Sequence, residues 1–235
     1  MSGHSKWANI KTRKLAQDQK RAHVFTKLVR AIAIAARENP DSNANPRLRL
    51  AIDRARSFNV PKENIERAIR REGAETVEAF SFDAVGPSGI TMIIEGATDN
   101  RNRTLGEIRH ILELHGAKLA PEGSARWAFA RKGILTLETS QANKKRDDLL
   151  LALIAAGAED VVEREGALEM IVAPDELIAI QNRLSAEGVA VADAALGWVP
   201  KQAGASPAIP DAHLRNLLAE LDGHPDVQTV WSNES

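Results

Sequence analysis

The 235-residue chain contains no cysteine and no tyrosine, and aromatic residues make up only 4% of it. The lack of cysteine excludes disulfides, thiolate nucleophiles and cysteine-ligated zinc. No run of 18 or more apolar residues is present and the N-terminus lacks a signal-peptide core, so we predict a cytoplasmic protein with no membrane partner. The basic, acid-poor N-terminus is also typical of a mitochondrial transit peptide, but it continues directly into patterned helices.

Motifs of well-known catalytic sites are missing as well. The sequence has no phosphate-binding P-loop, no GxGxxG and no GxSxG. Its six histidines are scattered, without the HExxH spacing of a zinc site. We therefore predict a protein that is not an enzyme and has no metal, no cofactor and no small-molecule substrate. The alternative is a magnesium site on Asp83, Glu95 and Asp99, although such carboxylates are usually only solvated.

The charge of the chain is strongly segregated. Residues 1–71 hold 17 lysines and arginines against 6 acidic residues, a formal charge of +11. Residues 72–235 hold 14 lysines and arginines against 26 acidic residues, a formal charge of −12. The net charge of −1 therefore conceals a basic N-terminal part and an acidic remainder. Segregated positive charge favours binding to a nucleic acid. The alternative is a basic but merely solvated helical surface.

Hydrophobic spacing predicts three short amphipathic helices in the basic part. Apolar residues recur at three- and four-residue intervals over Phe25–Ala36, and we expect Arg30 to lie outside that stripe. Asn45 and Pro46 then form an N-cap and a first helical position, and Pro61 opens a third helix. We call residues 1–75 the head, and residues 1–21, which have little apolar content, the arm.

Beyond the head the pattern changes to alternating strands and helices, which predicts an α+β fold of three domains. Residues 76–132 and 205–235 are predicted to form a middle α/β domain. Residues 133–204 have the β-α-β-β-α-β order of a ferredoxin-like domain inserted into it. We also expect a half-buried strand over Ser124–Lys132, with Trp127 and Phe129 on one face.

The arm supplies most of the candidate nucleic-acid contacts, because cations on a flexible segment can neutralise phosphates. Trp7 either stacks on a base or anchors the arm to the helices. The predicted contact residues are His4, Lys6, Trp7, Lys11, Arg13, Lys14, Lys20, Arg21, Lys27, Arg47 and Arg49. Acidic residues between Glu159 and Glu176 would repel phosphate, so we expect nucleic acid to meet the head alone; that acidic surface serves solubility or protein docking.

Several strings in the sequence resemble the signature of the YebC/PmpR family. They are Gly3-His-Ser-Lys-Trp-Ala-Asn-Ile-Lys11, Asn45-Pro-Arg-Leu-Arg49, Pro61-Lys-Glu-Asn-Ile-Glu-Arg-Ala-Ile69, Gly157-Ala-Glu-Asp-Val161 and the stretch from Val227 to Asn233. The resemblance implies a helical N-terminal domain followed by two α/β domains. It also implies a DNA-binding transcriptional regulator, while relatives such as the mitochondrial translational activator of cytochrome c oxidase subunit I act in translation. Phe82-Asp-Ala-Val85 departs from the tyrosine- and glycine-rich stretch usual in the family.

Two modes of action remain open for a protein of this kind. Phosphate contacts carry little sequence information, so they fit ribosomal RNA and DNA equally. No recognition helix presents Asn, Gln and Arg together, and the monomeric head has no evident seam for a dimer on a palindromic site. We therefore expect action on the ribosome, with DNA-directed regulation as the alternative and a pure protein-interaction module as the third hypothesis.

Overall fold

The computed structural model of the protein describes residues 24–70, 77–86, 89–138, 146–164, 167–201 and 212–233. Its helices are α1 (24–38), α2 (Pro46–Ser57), α3 (Lys62–Arg70), α4 (Arg101–Leu114), α5 (Arg146–Ala155), α6 (Leu177–Ala186) and α7 (Ala212–Gly223). Its strands are β1 (Glu78–Val85), β2 (Thr91–Thr98), β3 (Lys118–Ala120), β4 (Phe129–Glu138), β5 (Asp160–Arg164), β6 (Ala167–Val172), β7 (Val191–Pro200) and β8 (Val227–Ser232). The predicted α+β class is confirmed.

The three predicted head helices form and bury one shared apolar cluster. Asn45 caps α2, because its side-chain oxygen accepts the Leu48 N–H at 3.0 Å, and Pro46 occupies the first helical position. The Asn45 amide also donates to the carbonyl of Ala35, which fastens the end of α1 to the start of α2. The buried cluster contains Leu28, Ile32, Ala35, Ala36, Leu48, Ile52, Ala55, Val60, Ile65 and Ala68.

The strands build two four-stranded sheets, with the orders β3-β1-β2-β8 and β5-β6-β4-β7. The C-terminal strand β8 thus lies beside β2, far from it in sequence. In the second sheet β4 pairs antiparallel with both β6 and β7, and β5 pairs antiparallel with β6. The chain order from β4 to β7 is the β-α-β-β-α-β order of a ferredoxin-like motif.

Gly133 shows how closely α6 approaches that sheet. A Cβ at this position would lie 2.7 Å from Cγ2 of Val172 and 3.0 Å from Cβ of Leu177, the first residue of α6. Real side-chain carbons do not come so close. The absence of a side chain at Gly133 therefore lets the helix rest directly on the strand.

The predicted strand over Ser124–Lys132 is wrong in its first half. Residues Arg126–Ala128 form a 3₁₀ turn, and β4 begins only at Phe129. A 3₁₀ helix has three residues per turn, so positions two apart do not share a face. Accordingly Phe129 is 2% exposed, whereas Trp127 is 71% exposed.

Helix α4 begins at Arg101, one turn before Leu105, the first residue of its apolar stripe. The side-chain oxygen of Asn100 accepts the Arg103 N–H at 3.1 Å, which supplies an N-terminal cap. The Asn100 N–H donates in turn to the hydroxyl of Thr98. The cap lies outside the apolar stripe, and for that reason the stripe alone places the start too late.

The described residues divide into two compact units. The first unit is drawn from Met1–Phe80, Gly96–Thr104 and Gly223–Gln228, and the second from Ser81–Glu95, Leu105–Asp222 and Thr229–Ser235. The first unit therefore joins the head helices to short segments that come much later in the chain. The domain boundaries given above from the sequence stay a prediction.

Candidate nucleic-acid interface

Three of the predicted contact residues lie in the described part of the chain: Lys27, Arg47 and Arg49. The other eight, all in the arm, lie outside the described residues: His4, Lys6, Trp7, Lys11, Arg13, Lys14, Lys20 and Arg21. Lys27 is half-buried on α1. The described head is nonetheless cationic, since residues 24–70 hold 10 lysines and arginines against 5 acidic residues.

Arg47 and Arg49 are neighbours on α2 with different surroundings. The guanidinium of Arg47 is exposed and lies 2.8 Å from the Glu38 carboxylate, which is exposed as well. Exposed pairs of this kind contribute only about 0.2–1 kcal/mol, so a phosphate can replace the carboxylate at little cost. Arg49 is half-buried and donates to the carbonyls of Ser42 and Asn43, so it holds the loop between α1 and α2.

Two further arginines of the head are better placed to meet phosphate. Arg37 in the last turn of α1 and Arg67 in the last turn of α3 are exposed. Within the described residues neither forms an ion pair with a carboxylate, whereas Arg56 pairs with Asp53 at 3.4 Å and Lys62 with Glu66 at 3.6 Å. Unpaired guanidinium groups present all their donors to a phosphate ligand. Arg37 and Arg67 therefore join Arg47 as candidate contacts.

Arg30 lies outside the buried apolar cluster of the head, as expected, but its guanidinium is engaged with other protein groups. Its side chain is only 22% exposed, and Nη1 lies 2.5 Å from Oδ1 of Asp226. The same nitrogen donates to the carbonyl of Pro225 at 3.2 Å. Arg30 thus ties α1 to the segment before β8, within the first unit, and is not available to a phosphate.

Asp226 is the centre of a buried polar network in the first unit. Its side chain is 1% exposed, and Oδ2 accepts hydrogen bonds from Thr104 at 2.6 Å, Arg103 at 2.7 Å and Thr98 at 3.2 Å. Burial alone would raise the pKa of Asp226, but the hydrogen bonds from Thr104, Arg103 and Arg30 outweigh it and lower the pKa to about 2. The carboxylate also holds the pKa of Arg103 above its ordinary value.

Backbone packing brings Asp226 to this position. Its carbonyl accepts the Ala97 N–H at 2.8 Å, beside Gly96. A Cβ on Gly96 would lie 2.1 Å from that carbonyl oxygen and 2.4 Å from Cζ of Phe80. Only glycine admits so close an approach. No motif in the sequence indicates this network, because Arg30 and Asp226 are 196 positions apart.

The carboxylates considered for magnesium are engaged with protein groups. Asp83 is buried and accepts the Ala125 N–H, Glu95 accepts the indole N–H groups of Trp198 and Trp231, and Asp99 pairs with Arg103. Across the part of the chain that the structure describes, no three His, Cys, Asp or Glu side chains cluster so as to hold a metal ion. In the same residues, no helix combines the length and apolarity needed to cross a membrane.

Comparison with known proteins relates this architecture to a family. Residues 5–75 match the model of the TACO1/YebC protein N-terminal domain, and residues 77–234 match that of the TACO1/YebC second and third domain. The chain belongs to the TACO1/YebC family. The resemblance noted from the arm, α2 and α3 is thereby confirmed, and the head corresponds to the separate N-terminal model.

Family members resemble the chain along nearly its whole length. A protein of Desulforamulus reducens is 43% identical, covering 99% of this chain and 98% of the relative. One of Thermotoga maritima is 41% identical, covering 99% and 93%. Both are named probable transcriptional regulatory protein. The crystal structure of a conserved hypothetical protein from Aquifex aeolicus superposes with a TM-score of 0.86 at 33% identity, covering 93% of this chain and 91% of that one.

Proposed function

We propose that this protein is a non-enzymatic regulator of gene expression that binds nucleic acid through its head and arm and acts in translation, on the ribosome. The observation that carries the proposal is the pair of exposed arginines, Arg37 and Arg67, that form no ion pair within the described residues. They belong to a stretch of 71 residues with a formal charge of +11. Such a surface attracts polyanions by releasing the counterions condensed on them.

The form of the head supports RNA over a specific DNA sequence. Recognition in the major groove needs several base-reading side chains projecting from one helix. The nine-residue α3 has Asn64 half-buried and Arg67 exposed, which is a small set for such reading. Cations spread over three short helices suit the irregular phosphate surface of folded RNA, where shape matters more than base edges.

The alternative is a DNA-binding transcriptional regulator, and it is supported by the names of the bacterial relatives. A regulator of that kind must distinguish its site from random DNA by about 10³-fold or more. A protein-interaction module, the third hypothesis, would make the basic head irrelevant to binding. In this role the protein is a cytoplasmic monomer that needs no cofactor and no small-molecule substrate, since no sequence motif points to a cofactor or a substrate.

A competition experiment tests the proposal. Duplex DNA is selected from a random library on the full-length protein, and the best duplex is competed with its scrambled version and with purified bacterial ribosomes. We expect the scrambled duplex to compete almost as well as the selected one, and ribosomes to compete better than both. Selection of a unique duplex motif that resists the scrambled competitor would establish the transcriptional alternative instead. Failure of every nucleic acid to bind would leave only the protein-interaction module.

A further inference from the structure

The second unit carries a tryptophan whose side chain lies on its surface. Trp127 is 71% exposed, although tryptophan is usually well buried. Its turn is rigid: the Ala125 N–H donates to the buried carboxylate of Asp83 at 2.8 Å, and the Ala128 N–H donates to the Ala125 carbonyl at 3.0 Å. The Lys201 N–H donates to the Ala128 carbonyl at 2.9 Å on the other side. The backbone of this turn is thus held on both sides, so little backbone entropy is lost when the exposed indole binds a ligand.

Two cationic side chains lie close to the turn that carries Trp127. Arg126, the preceding residue, is exposed, and its guanidinium lies 5.9 Å from the ring centroid of Trp198. Lys201 is exposed too, and its Nζ donates to the Trp127 carbonyl at 3.0 Å. Neither cation forms an ion pair with a carboxylate among the described residues. The turn that carries Trp127 thus also presents two cations that no carboxylate among the described residues neutralises.

The other two described tryptophans are already engaged, which sets Trp127 apart. Trp198 and Trp231 donate their indole N–H groups to the two carboxylate oxygens of Glu95, at 3.0 and 2.9 Å. The guanidinium of Arg131 lies 5.0 Å from the Trp198 ring centroid and 3.6 Å from the same carboxylate. The Trp198 ring therefore packs near Arg126, and the Glu95 carboxylate is already satisfied by the two indole N–H groups and Arg131.

We propose that Trp127 stacks on an unpaired base of a single-stranded RNA segment, while Arg126 and Lys201 contact the adjacent phosphates. Aromatic rings flanked by cations are the usual means of holding single strands without sequence preference. Tryptophan and arginine are also common in protein interfaces, but lysine is depleted there, so an exposed tryptophan beside both Arg126 and Lys201 is better matched to the phosphates of a nucleic acid. The inference rests on the proposed RNA-directed function, and it replaces the expectation that nucleic acid meets the head alone.

The test uses the full-length protein and a fluorescent 12-nucleotide oligouridine, which has no secondary structure, read by fluorescence anisotropy at low salt. Replacement of Trp127 by leucine keeps apolar bulk without an aromatic face, and replacement by phenylalanine keeps the face. We expect Trp127→Leu to weaken binding by about 5- to 150-fold and Trp127→Phe to stay within about threefold of the wild type. Leu151→Ala is the matched control, since Leu151 is a large apolar side chain that is 65% exposed.

A second variant tests the phosphate contacts. The double variant Arg126→Gln, Lys201→Gln removes two positive charges. Each phosphate contact on a single strand contributes about 0.7 to the slope of log affinity against log salt, so this slope should become less steep by about 1.4 for oligouridine. Thermal melting of every variant should match the wild type, since the replaced side chains are exposed.

The outcomes separate this inference from the proposed function. Trp127→Leu could bind oligouridine as tightly as the wild type, while alanine at Lys11, Arg13 and Lys14 weakens binding. That result would overturn the stacking inference and leave unaffected the proposal that the head and arm bind nucleic acid. Loss of ribosome association in Trp127→Leu without loss of oligouridine binding would overturn it as well and point to a protein partner. If the wild type bound neither oligouridine nor ribosomes, both proposals would be wrong.

Discussion

Arg30 and Asp226, 196 positions apart in the chain, form a 2.5 Å ion pair that joins helix α1 to the segment before β8. The pair is asymmetric: the carboxylate is buried, whereas the guanidinium reaches the surface. Because Asp226 also accepts from Arg103, Thr98 and Thr104, the network holds parts of the first unit that no local interaction could bring together. The Arg30–Asp226 ion pair therefore stabilises the fold of the first unit and does not take part in binding a ligand.

Removal of the central carboxylate should destabilise the protein. Asp226→Ala leaves Arg30 and Arg103 without their shared acceptor and opens a buried polar site, which should lower the free energy of unfolding by about 3 kcal/mol. Urea unfolding followed by circular dichroism measures the change. Asp175→Ala, which removes an exposed carboxylate of the turn before α6, should change stability by less than about 0.5 kcal/mol. A similar small change for Asp226→Ala would mean that the network contributes nothing to folding.

The same carboxylate predicts a specific acid sensitivity. The pKa of Asp226 in the folded protein, about 2, is below its ordinary 3.8. A carboxyl group whose pKa is lower in the folded state stabilises that state fully at any pH above the pKa of the unfolded chain. This stabilisation is lost as the pH falls from about 4 to about 2. The loss amounts to about 2 kcal/mol. Urea midpoints of wild type and Asp226→Asn, measured between pH 5 and pH 2, should converge as the pH falls; a constant difference would contradict the assignment.

The exposed arginines of the head should control affinity but not folding. We expect wild-type binding to ribosomal RNA to have a log–log salt slope near −5 to −7, corresponding to roughly five to eight phosphate contacts. Replacing Arg37 and Arg67 by glutamine should make the slope less steep by about 2 and weaken binding equally for all sequences. Arg215→Gln, an exposed cation of α7 in the second unit, serves as the control and should leave the slope unchanged.

Core and arm variants should show opposite effects. Ile52→Ala removes a side chain from the buried cluster of the head and should lower the free energy of unfolding by about 2–5 kcal/mol. Alanine at Lys11, Arg13 and Lys14 should instead weaken RNA binding with almost no change in melting temperature. Differential scanning calorimetry and anisotropy measure the two properties separately. A large drop in the melting temperature of the triple variant would show that the arm is part of the folded core.

Local features of the chain carried much of the prediction of the fold. The Asn45-Pro46 cap, the proline before α3 and the apolar spacing of the head each act over a few residues, and the helices have nearly the predicted bounds. The β-α-β-β-α-β order was readable for the same reason. The prediction was wrong at Trp127, because weak alternation over a few residues does not distinguish a strand from a 3₁₀ turn followed by one.

The sequence by itself determined the segregation of charge, the α+β class and the family, because composition, periodicity and motif strings are properties of neighbouring residues. Only the tertiary structure decided which arginines of the head are available to a ligand. Arg30 and Arg37 lie seven positions apart on one helix, yet one is held by Asp226 and the other is exposed. The difference depends on a partner 196 residues away, and an interaction at that separation leaves no trace in local sequence patterns.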